Sequence, residues 1–228
     1  MEMKRFVNYL MVAGIVITLV STGAIAQDRP SSTSEDAVPA TVPNQAAPAS
    51  FTTFKNYADG TFHLRAKEYV SGMQRGGHNL LIWKNPGLNL SQYSSLKVME
   101  FGGRLLPPQA NFPYDPHVAL FNSVFRSSLK LPQRESPDSL LIEGAVVECN
   151  PGSRAARALV GFGAGRAGCG VVCEVYEPGK AGPSLRIYTR ETNASGNWGG
   201  DSFGMLNNLM SQIAVRLAQT LTTTVAVR

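Results

Sequence analysis

LVGFGAGRAGCGVVC, residues Leu159–Cys173, is the stretch on which the reading of the fold turns. Inside it, Gly163-Ala-Gly165-Arg-Ala-Gly168 fits the GxGxxG pattern of dinucleotide-binding loops. That fingerprint works only between a strand and a helix, because the pyrophosphate sits on the helix N-terminus. Here the glycines run into Val171-Val-Cys-Glu-Val-Tyr176, a strand pattern. A Walker loop would need Gly-Lys followed by Ser or Thr, a triplet the chain lacks. The stretch is therefore read as sheet, and no cofactor is expected. Gly161, Gly163 and Gly165 would leave one face of an extended segment bare or permit bends. A bulky group, such as the ring of Phe162 or one from the last helix, is expected across that face.

Outward from the glycines, Ser139 to Cys149 and Val171 to Tyr176 read as strands joined by an arginine- and glycine-bearing connection. Ser184 to Glu191 alternates Leu185, Ile187 and Thr189 against Arg186, Tyr188 and Arg190, a third strand. Upstream, Leu80 to Trp83 is an apolar run stopped by Asn85-Pro86-Gly87, and Ser95 to Phe101 gives another strand. Val118, Phe121, Phe125 and Leu129 recur at helical steps after Asp115-Pro116, a cap with proline in the first turn. Ser202 to Val225 sets Phe203, Leu206, Met210, Ile213, Leu217 and Leu221 on one side of a closing helix. Its other face is uncharged apart from Arg216 and is assigned to solvent, with a partner surface as the alternative. Residues 51–77 are ambiguous, with a strand suggested at Thr61 to Ala66. The fold class is α+β: a two-layer sandwich with a mixed, mostly antiparallel sheet of about five strands packed by two main helices.

The N-terminal residues suggest a destination. Lys4 and Arg5 precede an apolar run that closes with Ala24-Ile25-Ala26, the pattern of a cleaved export signal over residues 1–26. An uncleaved anchor is the rival, since the run approaches the roughly 18 apolar residues that can span a bilayer. Residues 27–50 are rich in Pro, Ser, Thr and Ala without an aromatic, a disordered tether. Residues 51–228 form one domain, large enough to fold without metal or disulfide. The chain carries +5, a mild excess that fits a solvated surface and not the concentrated basic stripe of a nucleic-acid reader.

Three cysteines, Cys149, Cys169 and Cys173, lie beside the glycines. On one extended strand Cys169 and Cys173 stand roughly 13 Å apart, beyond disulfide reach. Cys149 paired with either Cys169 or Cys173 is the expected bridge in an oxidising compartment. Scattered His63, His78 and His117 do not complete a zinc set, and no metal is expected. Between Cys149 and Cys173 the chain has Arg154, Arg157 and Arg166 and no acid. Solvated or capping arginines are the plain reading, and an anion contact the sharper one.

Gly200-Asp-Ser202-Phe-Gly204 matches the GxSxG nucleophile elbow and precedes a helix. No histidine follows Ser202, and a serine without a base is a weak nucleophile. Ser202 is read as the N-cap of the last helix, with Asp201 favourable beside it. No catalytic residue is assigned.

The run from Gly152 to Leu221, with Arg157-Ala-Leu-Val-Gly161-Phe-Gly163-Ala-Gly165 as its most specific part, resembles a bacterial envelope family known only as domain of unknown function 4410. Pro86, Leu90, Tyr93 and Val98 are similar to an early strand of the same family, so the resemblance covers roughly residues 80–225. It implies strands around the glycine segment, a closing amphipathic helix and an envelope location, with no assigned chemistry. Many such proteins are lipid-anchored; no cysteine follows the apolar run here, so no lipid anchor is expected. The expectation is a non-enzymatic exported protein acting through an envelope protein or through self-association, without nucleic acid. Its structural and interaction candidates are Arg157, Gly161, Gly163, Gly165, Arg166 and Ser202. The rivals are a periplasmic hydrolase using Ser202 and a membrane-associated secretion or assembly component.

Overall fold

The computed structural model describes residues 52–108, 112–152, 166–193 and 201–226. Residues 1–26 and 27–50, read above as export signal and tether, and nearly all of the glycine connection lie outside them. Six strands form one open sheet: β1 (Gln74–Gly77), β2 (Leu80–Lys84), β3 (Leu96–Val98), β4 (Leu140–Asn150), β5 (Ala167–Tyr176) and β6 (Leu185–Asn193). Their order is β1-β2-β6-β5-β4-β3, and only the β3–β4 pair is parallel. Three helices accompany them: α1 (Phe62–Tyr69), α2 (Asp115–Ser128) and α3 (Ser202–Ala226). The α+β class and the mostly antiparallel sheet hold. The counts of five strands and two helices are one short each.

β5 decides the architecture. All ten of its residues are buried, so both faces of the sheet centre must be covered. On one face Cys169, Val171, Cys173 and Val175 point toward α2 and α3. There α2 contributes Val118, Phe121 and Phe125, and α3 contributes Leu206, Met210, Ile213, Leu217 and Leu221, as their periodicity predicts. Phe203 departs from that seam and stays 40% exposed. α2 begins at Asp115 with Pro116 in its first turn, one residue before the expected start.

The opposite face carries the main correction. It is covered by the chain from Thr52 to Val70, whose Phe54, Tyr57, Phe62 and Tyr69 pack on Ala145, Val147 and Val172. The rings of Tyr57 and Phe62 meet edge-on at 5.0 Å, and those of Phe62 and Tyr69 at 5.5 Å. The expected strand at Thr61 to Ala66 is the start of α1. Phe62, Ala66 and Tyr69 follow helical spacing, and Leu, Arg, Ala, Lys and Glu between them favour helix. β1 (QRGG) has no apolar residue to announce it and exists by pairing with β2.

Two local devices fix the helix face. Phe101 lies across Gly144, whose missing side chain makes room for its ring. That ring packs on Phe121 at 5.1 Å and Phe125 at 5.2 Å. Buried Asn122 accepts the Phe101 N–H and donates to its carbonyl, both at 2.9 Å, tying α2 to the chain after β3. In β4 a bulge lies between Val146, which pairs with Val171, and Glu148, which pairs with Gly170. Val147 and Glu148 both serve the second face, and Cys149 returns to the helix face opposite Cys169.

A Cβ at Gly144 would overlap the Phe101 ring and the Val172 carbonyl, and backbone cannot swing aside. Gly144→Ala should therefore cost about 3 kcal/mol in urea unfolding. Gly168→Ala presses only on the far end of the Glu148 side chain and should cost below about 1 kcal/mol. Equal losses at the two sites would contradict this packing.

Candidate functional site

The polar groups of the domain gather on the second face of the sheet. Cross-strand register aligns Glu143, Glu174, Arg186 and Trp83 in one row over β4, β5, β6 and β2. Glu174 is fully buried and Arg186 nearly so, an arrangement that demands partners. The segment entering the domain supplies two. The Phe54 N–H donates to Glu174 Oε1 at 3.0 Å, and Arg186 Nη1 donates to the Thr52 carbonyl at 2.6 Å. The Tyr176 hydroxyl donates to Glu174 Oε2 at 2.7 Å. The Arg186 guanidinium lies 5.0 Å from the Trp83 ring centre and 5.4 Å from that of Tyr69. Lys55 pairs with Glu143 and lies 5.0 Å from the Tyr176 ring centre. Thr52–Asn56 is thus a strap held by buried charge. Burial raises the Glu174 pKa above the ordinary carboxylate value, and hydrogen bonds from Tyr176 and Phe54 oppose that rise.

Farther along the same face, a cleft of about 360 Å³ opens between α1 and the sheet. Phe62 and Val147 give it apolar walls; His63, Glu148, Asn150, Tyr188 and Arg190 give it polar ones. Arg190 grips Glu148 with two hydrogen bonds, Nε to Oε2 at 2.5 Å and Nη2 to Oε1 at 2.8 Å. The pair lies over Gly168 and Gly170: a Cβ at 168 would stand 2.6 Å from Glu148 Oε1, and one at 170 3.2 Å from Glu148 Cβ. At these two glycines the bare backbone is covered by an ion pair. Burial pushes the Tyr188 phenol up to about 12, so it stays protonated at neutral pH. The cleft offers donors, acceptors and apolar wall, a set suited to recognition.

Arg157, Gly161, Gly163 and Gly165 lie outside the described residues. Arg166 is exposed immediately before β5. Gly168 falls within β5 and opens no helix, so the dinucleotide geometry does not form there. Cys149 and Cys169 are register partners, Cys173 faces Gly144, and all three are buried free thiols. Among the described residues no three His, Cys, Asp or Glu converge as a metal site.

Ser202 is the first residue of α3, and the cap is Asp201. Its carboxylate accepts the Phe203 and Gly204 N–H groups, both at 3.0 Å, while its carbonyl accepts that of Met205. Chain order hid the place of His117. Its ring is buried between Phe112, stacked at 5.6 Å, and Phe203 at 4.3 Å, and its Nδ1 meets Asn207 Oδ1 at 2.8 Å. Burial lowers its pKa. Arg216, assigned to solvent on sequence, instead pairs with buried Glu191 on β6, which also accepts from Asn79 Nδ2 at 2.9 Å.

These strands coincide with a known domain. Residues 121–197 match the family model DUF4410, a domain of unknown function. The DUF4410 segment contains most of α2 and all of β4, β5 and β6, hence Glu143, Glu174, Arg186, the Glu148–Arg190 pair and the three cysteines. The strap and α3 lie outside it, and so does part of the wider resemblance read from residues 80–225. Among solved structures, the chain is similar to the PelC dodecamer from Paraburkholderia phytofirmans, with 12% identity and a TM-score of 0.36 over 60% of this chain and 96% of that one. It is also similar to a minor lipoprotein from Acinetobacter baumannii, with 11% identity and a TM-score of 0.32 over 58% and 94%. No curated protein matches the chain.

The strap predicts a pH effect. A carboxyl whose folded pKa is raised holds its proton in the fold after the unfolded chain has lost it, so stability falls as pH rises through that window. The window opens at the ordinary value of 4.5 and extends upward to the folded pKa of Glu174. Thermal unfolding of the wild type minus that of Glu174→Gln should therefore decline from pH 4.5 toward neutrality. A flat difference would show that Glu174 titrates normally.

Proposed function

We propose that the chain is an exported envelope protein that works by contact with another envelope protein, at the sheet end shared by the cleft and the glycine connection. The observation that carries this reading is the engagement of the cleft's charges: Glu148 is gripped by Arg190 on both oxygens. A carboxylate so neutralised is a poor general base and a good part of a shaped, hydrogen-bonding surface. Asn150 at the end of β4 lines the cleft, and exposed Arg166 precedes β5, so the connection between them emerges beside it. The basic and apolar N-terminal segment with its Ala-x-Ala ending supports export, and the Pro- and Ser-rich residues after it support a tether. Among the described residues no helix is long and apolar enough to cross a membrane.

A second reading, a hydrolase using Ser202, gains one observation. His117, dismissed on chain order, packs against the first turns of α3 through Phe203 and Asn207. A fluorophosphonate probe decides it: labelling that disappears in both Ser202→Ala and His117→Ala, with folding intact, would replace the contact reading.

The contact reading is tested by fractionation and site-specific photocrosslinking in cells. A crosslinker replacing Arg166 should capture an envelope protein or a second copy. One replacing exposed Asp138, at the other end of β4, should not. Recovery of the chain in the cytoplasm, or equal capture from both positions, would overturn it.

A further inference from the structure

The sequence leaves two partners open for Cys149; the register leaves one. Cys149 pairs directly with Cys169 across the antiparallel β4–β5 ladder, on the helix face of the sheet. Directly opposed residues in such a ladder have α-carbons about 4.5–5.5 Å apart, inside the 4.4–6.8 Å range that a disulfide spans. Cys173 lies four residues along the same strand, opposite Gly144, roughly 13 Å from Cys169. Both opposed thiols are buried, and the Cys169 thiol donates to the Leu206 carbonyl on the first turns of α3 at 4.0 Å. Two thiols on directly opposed residues, sealed from water, need only an oxidant before the core closes.

We propose that Cys149 and Cys169 are joined as a cystine, which closes residues 149–169 into a ring. The ring includes the arginine-bearing glycine connection, and Cys173 is left as a core thiol. The chemistry is a two-electron exchange: each cysteine gives up its S–H proton, an S–S bond forms, and the electrons reduce an external disulfide to two thiols. That external disulfide is a protein of the thiol–disulfide oxidoreductase class in the oxidising compartment, or glutathione disulfide in a test tube. Only the cellular oxidant rests on the export reading; the geometry does not. The thiolate is the attacking species, and the adjoining Cys149 thiol together with burial holds the Cys169 pKa far above the ordinary thiol range. The bond therefore forms while the chain folds, not after α3 has covered the pair.

The test uses the full chain and counts thiols by mass after N-ethylmaleimide treatment in denaturant. Refolded from a reduced, unfolded state with glutathione disulfide, the wild type should take up one maleimide, and three after reduction. Cys173→Ser should take up none, then two. Closing a ring of this length should favour the folded state roughly 200-fold over the reduced chain in urea titrations. Three reactive thiols after oxidative refolding, or peptides linked through Cys173, would overturn the proposal. Protein taken from cells separates the two readings. One adduct there supports cystine and export together. Three adducts on a chain that does cross-link on refolding would overturn a cystine in the living cell and count against export, leaving the register argument standing.

Discussion

A strand buried on both faces must be covered twice, and β5 imposes that requirement on everything around it. On the helix face the answer is ordinary: apolar stripes of α2 and α3 meet Val171, Cys173 and Val175. On the other face β5 carries Glu174, and hydrocarbon alone cannot cover a carboxylate at tolerable cost. The chain meets this with main-chain polarity, aiming the Phe54 N–H at Glu174 and the Thr52 carbonyl at Arg186. The start of the described domain is thereby set by two buried charges, while the rings of Phe54, Tyr57, Phe62 and Tyr69 exclude water around them.

The sequence disclosed whatever periodicity could disclose. Alternation in residues 184–191 placed Arg186 and Arg190 on the face away from Leu185 and Ile187, where the structure has them. Helical spacing found α2 and nearly all of the α3 seam. What it could not supply was register. Nothing in β6 says that Arg186 will stand beside Glu174, or that Arg190 will reach Glu148, because those neighbours come from other strands, and Glu148 is aligned only beyond a bulge. For the same reason Arg216 read as a solvent residue: a helical wheel shows the angle of a side chain but not the buried acid within its reach.

The bare face expected at Gly161, Gly163 and Gly165 lies outside the described residues, but the same physical idea operates at other glycines. Missing side chains do make room for a neighbour at Gly144, where it is Phe101, and at Gly168 and Gly170, where it is Glu148 with Arg190. At the sheet end a charged pair serves as well, since an arginine and a carboxylate locked together present a flat, self-neutralised plate. Likewise the capping role given to Ser202 belongs to its neighbour, Asp201, whose carboxylate has two oxygens for two N–H groups.

The bulge between Val146 and Glu148 acts as a parity switch. Were Val147 taken up into a regular ladder opposite Gly170, the pairing beyond it would slip, so that Glu148 would oppose Cys169 in the oily layer and Cys149 would oppose Gly168 in the cleft. An acid would be stranded among leucines, and the thiols would no longer meet. The strand thus depends on leaving one residue out of its ladder: a change that straightened the bulge at this length would turn every later side chain to the wrong face.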